Sequence, residues 1–122
     1  MNPSCEFRVL QPEGILSAAA AKKLLASFDT YVGQAIPIIL IDLQQVPMID
    51  SFGLGIIISM RNKMKLSGGA LYLCGLQKQA RFLVDISALD RLFDILPDQA
   101  TFHDQLAQGN LPQCIVSPAP SV

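Results

Sequence analysis

The alternation of apolar and polar positions divides the chain into short elements of changing period. Glu6-Phe7-Arg8-Val9-Leu10 alternates weakly and predicts a strand. Pro12-Glu13-Gly14 turns the chain, and Gly14-Ile15-Leu16 predicts a second short extended piece. Ser17 stands where it can cap a helix, and residues 18–31 are Ala-rich, with Leu24, Leu25, Phe28 and Tyr31 at helical spacing. The stretch 33–37, with Gly33 and Pro37, breaks that pattern. Ile38-Ile39-Leu40-Ile41 is apolar and β-branched without alternation, which predicts a strand covered on both faces.

Met48-Ile49-Asp50-Ser51 leads into a second helix over about 52–66, stopped by Ser67-Gly68-Gly69. Ala70-Leu71-Tyr72-Leu73-Cys74 predicts another buried strand, ended by Gly75. Residues 78–87 carry Phe82, Leu83 and Ile86 at helical spacing, 92–96 read as a short strand, and Pro97-Asp98 opens a last helix to about Leu106. The expected division is one domain over 1–108 and a flexible tail over 109–122, where periodicity fades. Strands alternating with helices of this length predict parallel pairing through right-handed crossovers. The fold class is therefore α/β, with a mixed, mostly parallel sheet of four or five strands and about four helices.

Composition narrows the function. The chain has 122 residues, 51% of them apolar, enough for a core without metals or disulfides. Nine basic and ten acidic residues leave a formal net charge of −1. That balance supplies no basic stripe for direct nucleic-acid binding and no polybasic membrane surface. The start, Met1-Asn2-Pro3-Ser4-Cys5-Glu6, lacks the charged-then-apolar order of a signal peptide, and no apolar run is long enough for membrane insertion. Three scattered cysteines, Cys5, Cys74 and Cys114, form neither a disulfide framework nor a zinc-ligand spacing. The expectation is a cytoplasmic protein with reduced thiols and no metal or other cofactor.

The informative segment is Ile38-Ile39-Leu40-Ile41-Asp42-Leu43-Gln44-Gln45-Val46-Pro47-Met48-Ile49-Asp50-Ser51-Phe52-Gly53-Leu54-Gly55. Asp50-Ser51 falls where a loop becomes a helix, and the first four N–H groups of a helix lack partners inside it. A serine there can act as the cap, worth about 1 kcal/mol. Gly53 and Gly55 each cost up to about 1 kcal/mol of helix propensity, so close backbone approach is expected around them. Alternatively, Ser51 is a modification site. A phosphoryl group would bring about −1.5 to −2 charges to a helix N-terminus, whose dipole favours an anion by up to about 2 kcal/mol.

Asp42-Leu43, followed by Met48-Ile49-Asp50-Ser51-Phe52-Gly53-Leu54-Gly55, resembles the signature of the STAS domain. The usual form is Asp-Leu, a spacer, then Asp-Ser-Ser-Gly-Leu-Gly. Ser67-Gly68-Gly69 before a strand, and Ile86-Ser87-Ala88-Leu89-Asp90-Arg91-Leu92-Phe93, are similar to the family's pattern too. The resemblance spans roughly 6–106 and is greatest to free-standing bacterial anti-sigma factor antagonists. It implies a binding module and not an enzyme, with no catalytic residue. It implies docking to an anti-sigma factor that is also a serine kinase of the GHKL type, phosphorylation of Ser51, and reversal by a serine phosphatase of the PP2C type. Asp50, Phe52, Gly53, Leu54, Ile58 and Asp42 become the expected partner-binding residues, and a homodimer stays open. Where the family carries its second serine, this chain has Phe52. A non-phosphorylated interaction module in a transport or stress-signalling complex is the alternative.

A turn of about 100° per residue groups Ile56, Ile57, Met60 and Met64 on the core face of the second helix. Leu54 and Ile58 fall among Arg61, Asn62 and Lys65, an apolar pair on a polar face. His103, the only histidine, could pair with Cys74, but an exposed helix histidine and a buried strand-end cysteine are the simpler expectation. Gly53-Leu54-Gly55 lacks the third glycine of a dinucleotide fingerprint, and Ile49 stands where a nucleophile elbow needs glycine.

Overall fold

β2 (Ile38–Asp42) is buried at every position, as its unbroken apolar run predicts. The computed structural model describes residues 6–111. Around β2 stand β1 (Phe7–Leu10), α1 (Ala18–Gly33), α2 (Ser51–Leu66), β3 (Ala70–Cys74), α3 (Lys78–Ile86), β4 (Asp94–Leu96) and α4 (Gln99–Ala107). The strands pair in chain order, β1-β2-β3-β4, and every pair is parallel. The sheet has four strands, within the four or five expected, and where a mixed, mostly parallel sheet was expected it is parallel throughout among the described residues. The extra extended piece at Gly14-Ile15-Leu16 contributes only an isolated bridge, Leu16 to Ile49.

The sheet's two faces are separate cores, because strand side chains alternate. Ile39, Ile41, Leu71 and Leu73 pack with Ala21, Leu24 and Phe28 of α1, Ile57, Met60 and Met64 of α2, and Ala80 of α3. Ile38, Leu40, Tyr72 and Cys74 pack on the other face with Phe102 of α4 and Leu111. Leu111 lies within the stretch expected as a tail, yet it is 2% exposed, so residues 109–111 continue the packed structure. Residues 112–122 of that expected tail, with Cys114, and residues 1–5, with Cys5, lie outside the described residues.

Two local expectations change. Residues 92–96 are not all strand: a 3₁₀ turn at Leu89–Arg91 follows Ala88 in the left-handed region (φ 56°), and β4 begins only at Asp94. Leu92 and Phe93 both donate their N–H to the Leu89 carbonyl, which commits them to the turn. On α3 the Phe82 and Ile86 positions of the apolar stripe face outward, 62% and 63% exposed, while Ala80 and Val84 make the buried contacts.

Candidate functional site

The site is built where the β2–α2 connection meets the first turn of α2. Leu16 donates its N–H to the Met48 carbonyl (2.9 Å) and accepts the Asp50 N–H (3.3 Å), so the chain enters the helix along a short strand-like stretch. Asp50 is extended (φ −90°, ψ 179°) and is the helix cap: its Oδ1 accepts the Gly53 N–H at 2.8 Å. Ser51 is therefore not the cap. It is the first helical residue, exposed, with a hydroxyl that makes no hydrogen bond among the described residues.

The Leu54 N–H bonds to the Asp50 carbonyl and the Gly53 N–H to its carboxylate. The N–H groups of Ser51 and Phe52 keep no protein partner among the described residues. Free amides at a helix start are the groups that receive an anion. Phe52 is 69% exposed beside Ser51, and Met48 and Ile15 add further exposed apolar surface.

The two glycines of the motif differ. A methyl group on Gly53 would run into the Leu16 backbone carbonyl oxygen and come within 3.2 Å of Ile49 Cγ2. Gly53 thus permits the close approach of α2 to the Leu16 segment. Gly55 faces open space, so the expected close approach does not extend to it.

Leu54 and Ile58 are half-buried and pack against the core beneath α2, with Ile56, so they are not a free apolar pair. Asp42 is 7% exposed. Its carboxylate accepts the Gln44 N–H (2.9 Å), Gln99 Nε2 (2.7 Å) and Gln11 Nε2 (3.4 Å). Asp42 therefore ties together the ends of β1, β2 and α4 from inside instead of presenting an open contact. Gly75, at φ +69°, is placed where a Cβ would stand 2.8 Å from Asp42 Oδ1, so a side chain is refused there twice over.

Cys74 is buried, and burial first, then the Asp42 charge and hydrogen bond, push its thiol up to about 12. A thiol so protonated is no nucleophile at neutral pH. His103 is exposed on α4, against the edges of Phe7 and Phe102 and 3.3 Å from Gln99 Oε1. Among the described residues no group of three or more His, Cys, Asp and Glu side chains could hold a metal ion, and no helix is long and apolar enough to cross a membrane.

One residue at the site has no counterpart in the sequence motifs. Gln79 of α3 accepts the Ile49 N–H (2.9 Å) and donates to the Ile49 carbonyl (3.0 Å), 30 residues away. A glutamine in a helix's first turn carries no local pattern that announces such a contact.

The family model of the STAS domain matches residues 2–108, and the chain belongs to that family. Among solved structures it is similar to a Thermotoga maritima protein described as an anti-sigma factor antagonist (24% identity, TM-score 0.75, covering 81% of this chain and 86% of that one). It is also similar to the anti-sigma factor antagonist SpoIIAA of Bacillus in its unphosphorylated form (17%, TM-score 0.68, 88% and 94%). A sulfate transporter family protein from Wolinella succinogenes is similar as well (15%, TM-score 0.69, 88% and 92%). These likenesses show the fold, an α/β domain with a parallel four-stranded sheet and four helices. Comparison with curated proteins gives no match.

Proposed function

We infer that the chain is an anti-sigma factor antagonist acting as a phosphorylation-controlled protein-binding switch. Unmodified, it sequesters an anti-sigma factor that is also a serine kinase of the GHKL type, and so frees a sigma factor. Phosphate on Ser51 ends the docking, and a serine phosphatase of the PP2C type restores it. In this reading the protein is a cytoplasmic binding module of transcription regulation, without catalytic site or cofactor.

The observation that carries this reading is the exposed, unbonded Ser51 hydroxyl one residue past the Asp50 cap. A phosphoryl group there adds about −1.5 to −2 charges at pH 7. The unpartnered N–H groups of Ser51 and Phe52, and the positive end of α2, offset that charge within the domain. A docked partner gains no such offset and meets the new charge next to Asp50. Asp50, Ser51 and the Phe52 ring form the contact surface, Leu54 and Ile58 contribute their open edges, and Gly53 and Asp42 shape it from within.

A second reading is a non-phosphorylated interaction module in a transport or stress-signalling complex. The 69% exposed Phe52 favours it, since a bulky ring replaces the family's second serine beside the acceptor hydroxyl. The likeness to a sulfate transporter family protein is in keeping with it.

Mass spectrometry of the protein isolated from its own cells tests the first reading. Phosphate on the Ser51 peptide, absent from Ser51→Ala, is the expected result. No phosphate, or equal incorporation in both forms, overturns it. Affinity capture then separates the readings: a GHKL-type kinase supports the first and a transporter subunit the second.

A further inference from the structure

We propose that Gln79 is a positioning residue that sets the place and orientation of Ser51, acting through the backbone of Ile49. The inference rests on the switch reading for its biological consequence, but its structural content stands apart from it.

Residues 48–50 behave as the middle member of a three-part ladder. On one side the Met48 carbonyl and the Asp50 N–H are used by Leu16. On the other side the Ile49 N–H and carbonyl are both used by the Gln79 amide, at 2.9 and 3.0 Å. Successive backbone groups of an extended chain point to opposite sides, so this stretch requires a partner on each. Among the described residues no strand lies on the second side. A primary amide carries a carbonyl and, cis to it, an N–H that points the same way, so Gln79 meets both backbone groups of Ile49 in place of a strand.

Ile49 is 4% exposed with Gln79 in place, and the Gln79 amide is the partner that its N–H and carbonyl use. The next residue is Asp50, whose carboxylate caps α2, and Ser51 follows it. A second glutamine of the same connection, Gln77, donates to the Gln44 carbonyl (2.7 Å), so the start of α3 grips both ends of the β2–α2 loop. Only glutamine fits the position. Asparagine is one methylene shorter, and glutamate keeps the acceptor for the Ile49 N–H but loses the donor to the Ile49 carbonyl.

The test compares wild type, Gln79→Ala and Gln79→Glu in two arms. Residue-resolved amide exchange by NMR is the first, and it needs no partner. In Gln79→Ala the Ile49 and Gly53 amides should exchange about tenfold faster or more, with Leu40 and Leu73 unchanged. Gln79→Glu should protect Ile49 better than Gln79→Ala does. Unaltered exchange at Ile49, or an equal rise at all four amides, overturns the proposal. In the second arm each protein is incubated with labelled ATP and soluble extract of the host cell. Incorporation at Ser51 should fall severalfold in maximal rate for Gln79→Ala, with the half-saturating concentration little changed, and recover in part for Gln79→Glu. Unchanged incorporation despite faster exchange overturns the link to Ser51. If the wild type takes up no phosphate, the switch reading fails, and the exchange arm still decides whether Gln79 positions the loop.

Discussion

Asp50 Oδ1 receives the Gly53 N–H at 2.8 Å, and this bond makes Asp50, not Ser51, the residue that starts α2. The consequence is a division of labour between neighbours. The aspartate stabilises the helix, and the serine hydroxyl is left available for chemistry. Removing the Asp50 cap oxygen, as Asp50→Ala does, should therefore cost about 1 kcal/mol, while Asp50→Asn keeps an equivalent oxygen for the Gly53 N–H. Ser51→Ala should stay within about 0.5 kcal/mol of wild type. Thermal unfolding of Asp50→Ala, Asp50→Asn and Ser51→Ala checks this, with a drop of about 4 °C expected for the first alone.

Gly53 and Gly55 should respond to alanine in opposite directions. At Gly53 the new methyl group meets the Leu16 carbonyl, a backbone atom already engaged with Asp50, so it cannot yield cheaply. Gly53→Ala should lose several kcal/mol, of the order of an overpacked core site (~1–3 kcal/mol) or more. At Gly55 the methyl group enters open space, and alanine is the better helix former, so Gly55→Ala should gain up to about 1 kcal/mol. Urea unfolding midpoints at unchanged slope measure both.

Phe52 offers a separation of binding from stability. Its ring is mostly exposed and contributes little to the core, so Phe52→Ala should change folding by no more than about 0.5 kcal/mol. If the ring meets a partner, the same change should weaken capture of that partner about tenfold or more, the behaviour of an aromatic contact at an interface. Equal capture by both forms would remove Phe52 from the contact surface.

Cys74 should be silent in the folded protein. With its thiol pushed up to about 12, it stays protonated across the neutral range. In a Cys5→Ser, Cys114→Ser background, native protein should react with a thiol reagent at pH 8 only at the rate of unfolding. The linkage has a definite sign. A thiol whose folded value exceeds its ordinary value, near 9, favours the fold at lower pH, and that contribution is lost as pH rises from about 9 towards 12. Stability measured from pH 8 to 11 should fall over that span, and less so in Cys74→Ala.

The parts of the fold that were legible in the sequence are those fixed by local chemistry. The run at Ile38 to Ile41 could only be a covered strand, and the glycines after Leu66 could only stop a helix. The parts that were not legible depend on contacts made elsewhere. Asp50 and Ser51 are both good caps, and only the extended backbone at Asp50, held by Leu16, decides between them. Phe82 and Ile86 share a helical period as good as any core stripe, yet the narrow buried line on α3 runs through Ala80 and Val84. The left-handed turn at Ala88 takes Leu92 and Phe93 away from the strand their composition favours. Asp42 reads as a motif carboxylate in the sequence, while its donors Gln11 and Gln99 come from 31 and 57 residues away. The loop-to-helix junction at Asp50-Ser51 was legible through its motif, and the hold of Gln79 on Ile49 was not.

Affinity for the kinase captured by the unmodified protein, compared among wild type, Ser51→Ala and Ser51→Glu, tests the central claim most directly. The account predicts that wild type and Ser51→Ala bind alike, while Ser51→Glu, carrying a single extra charge at the first turn of α2, binds about tenfold more weakly or worse. Indistinguishable affinities for all three would contradict it.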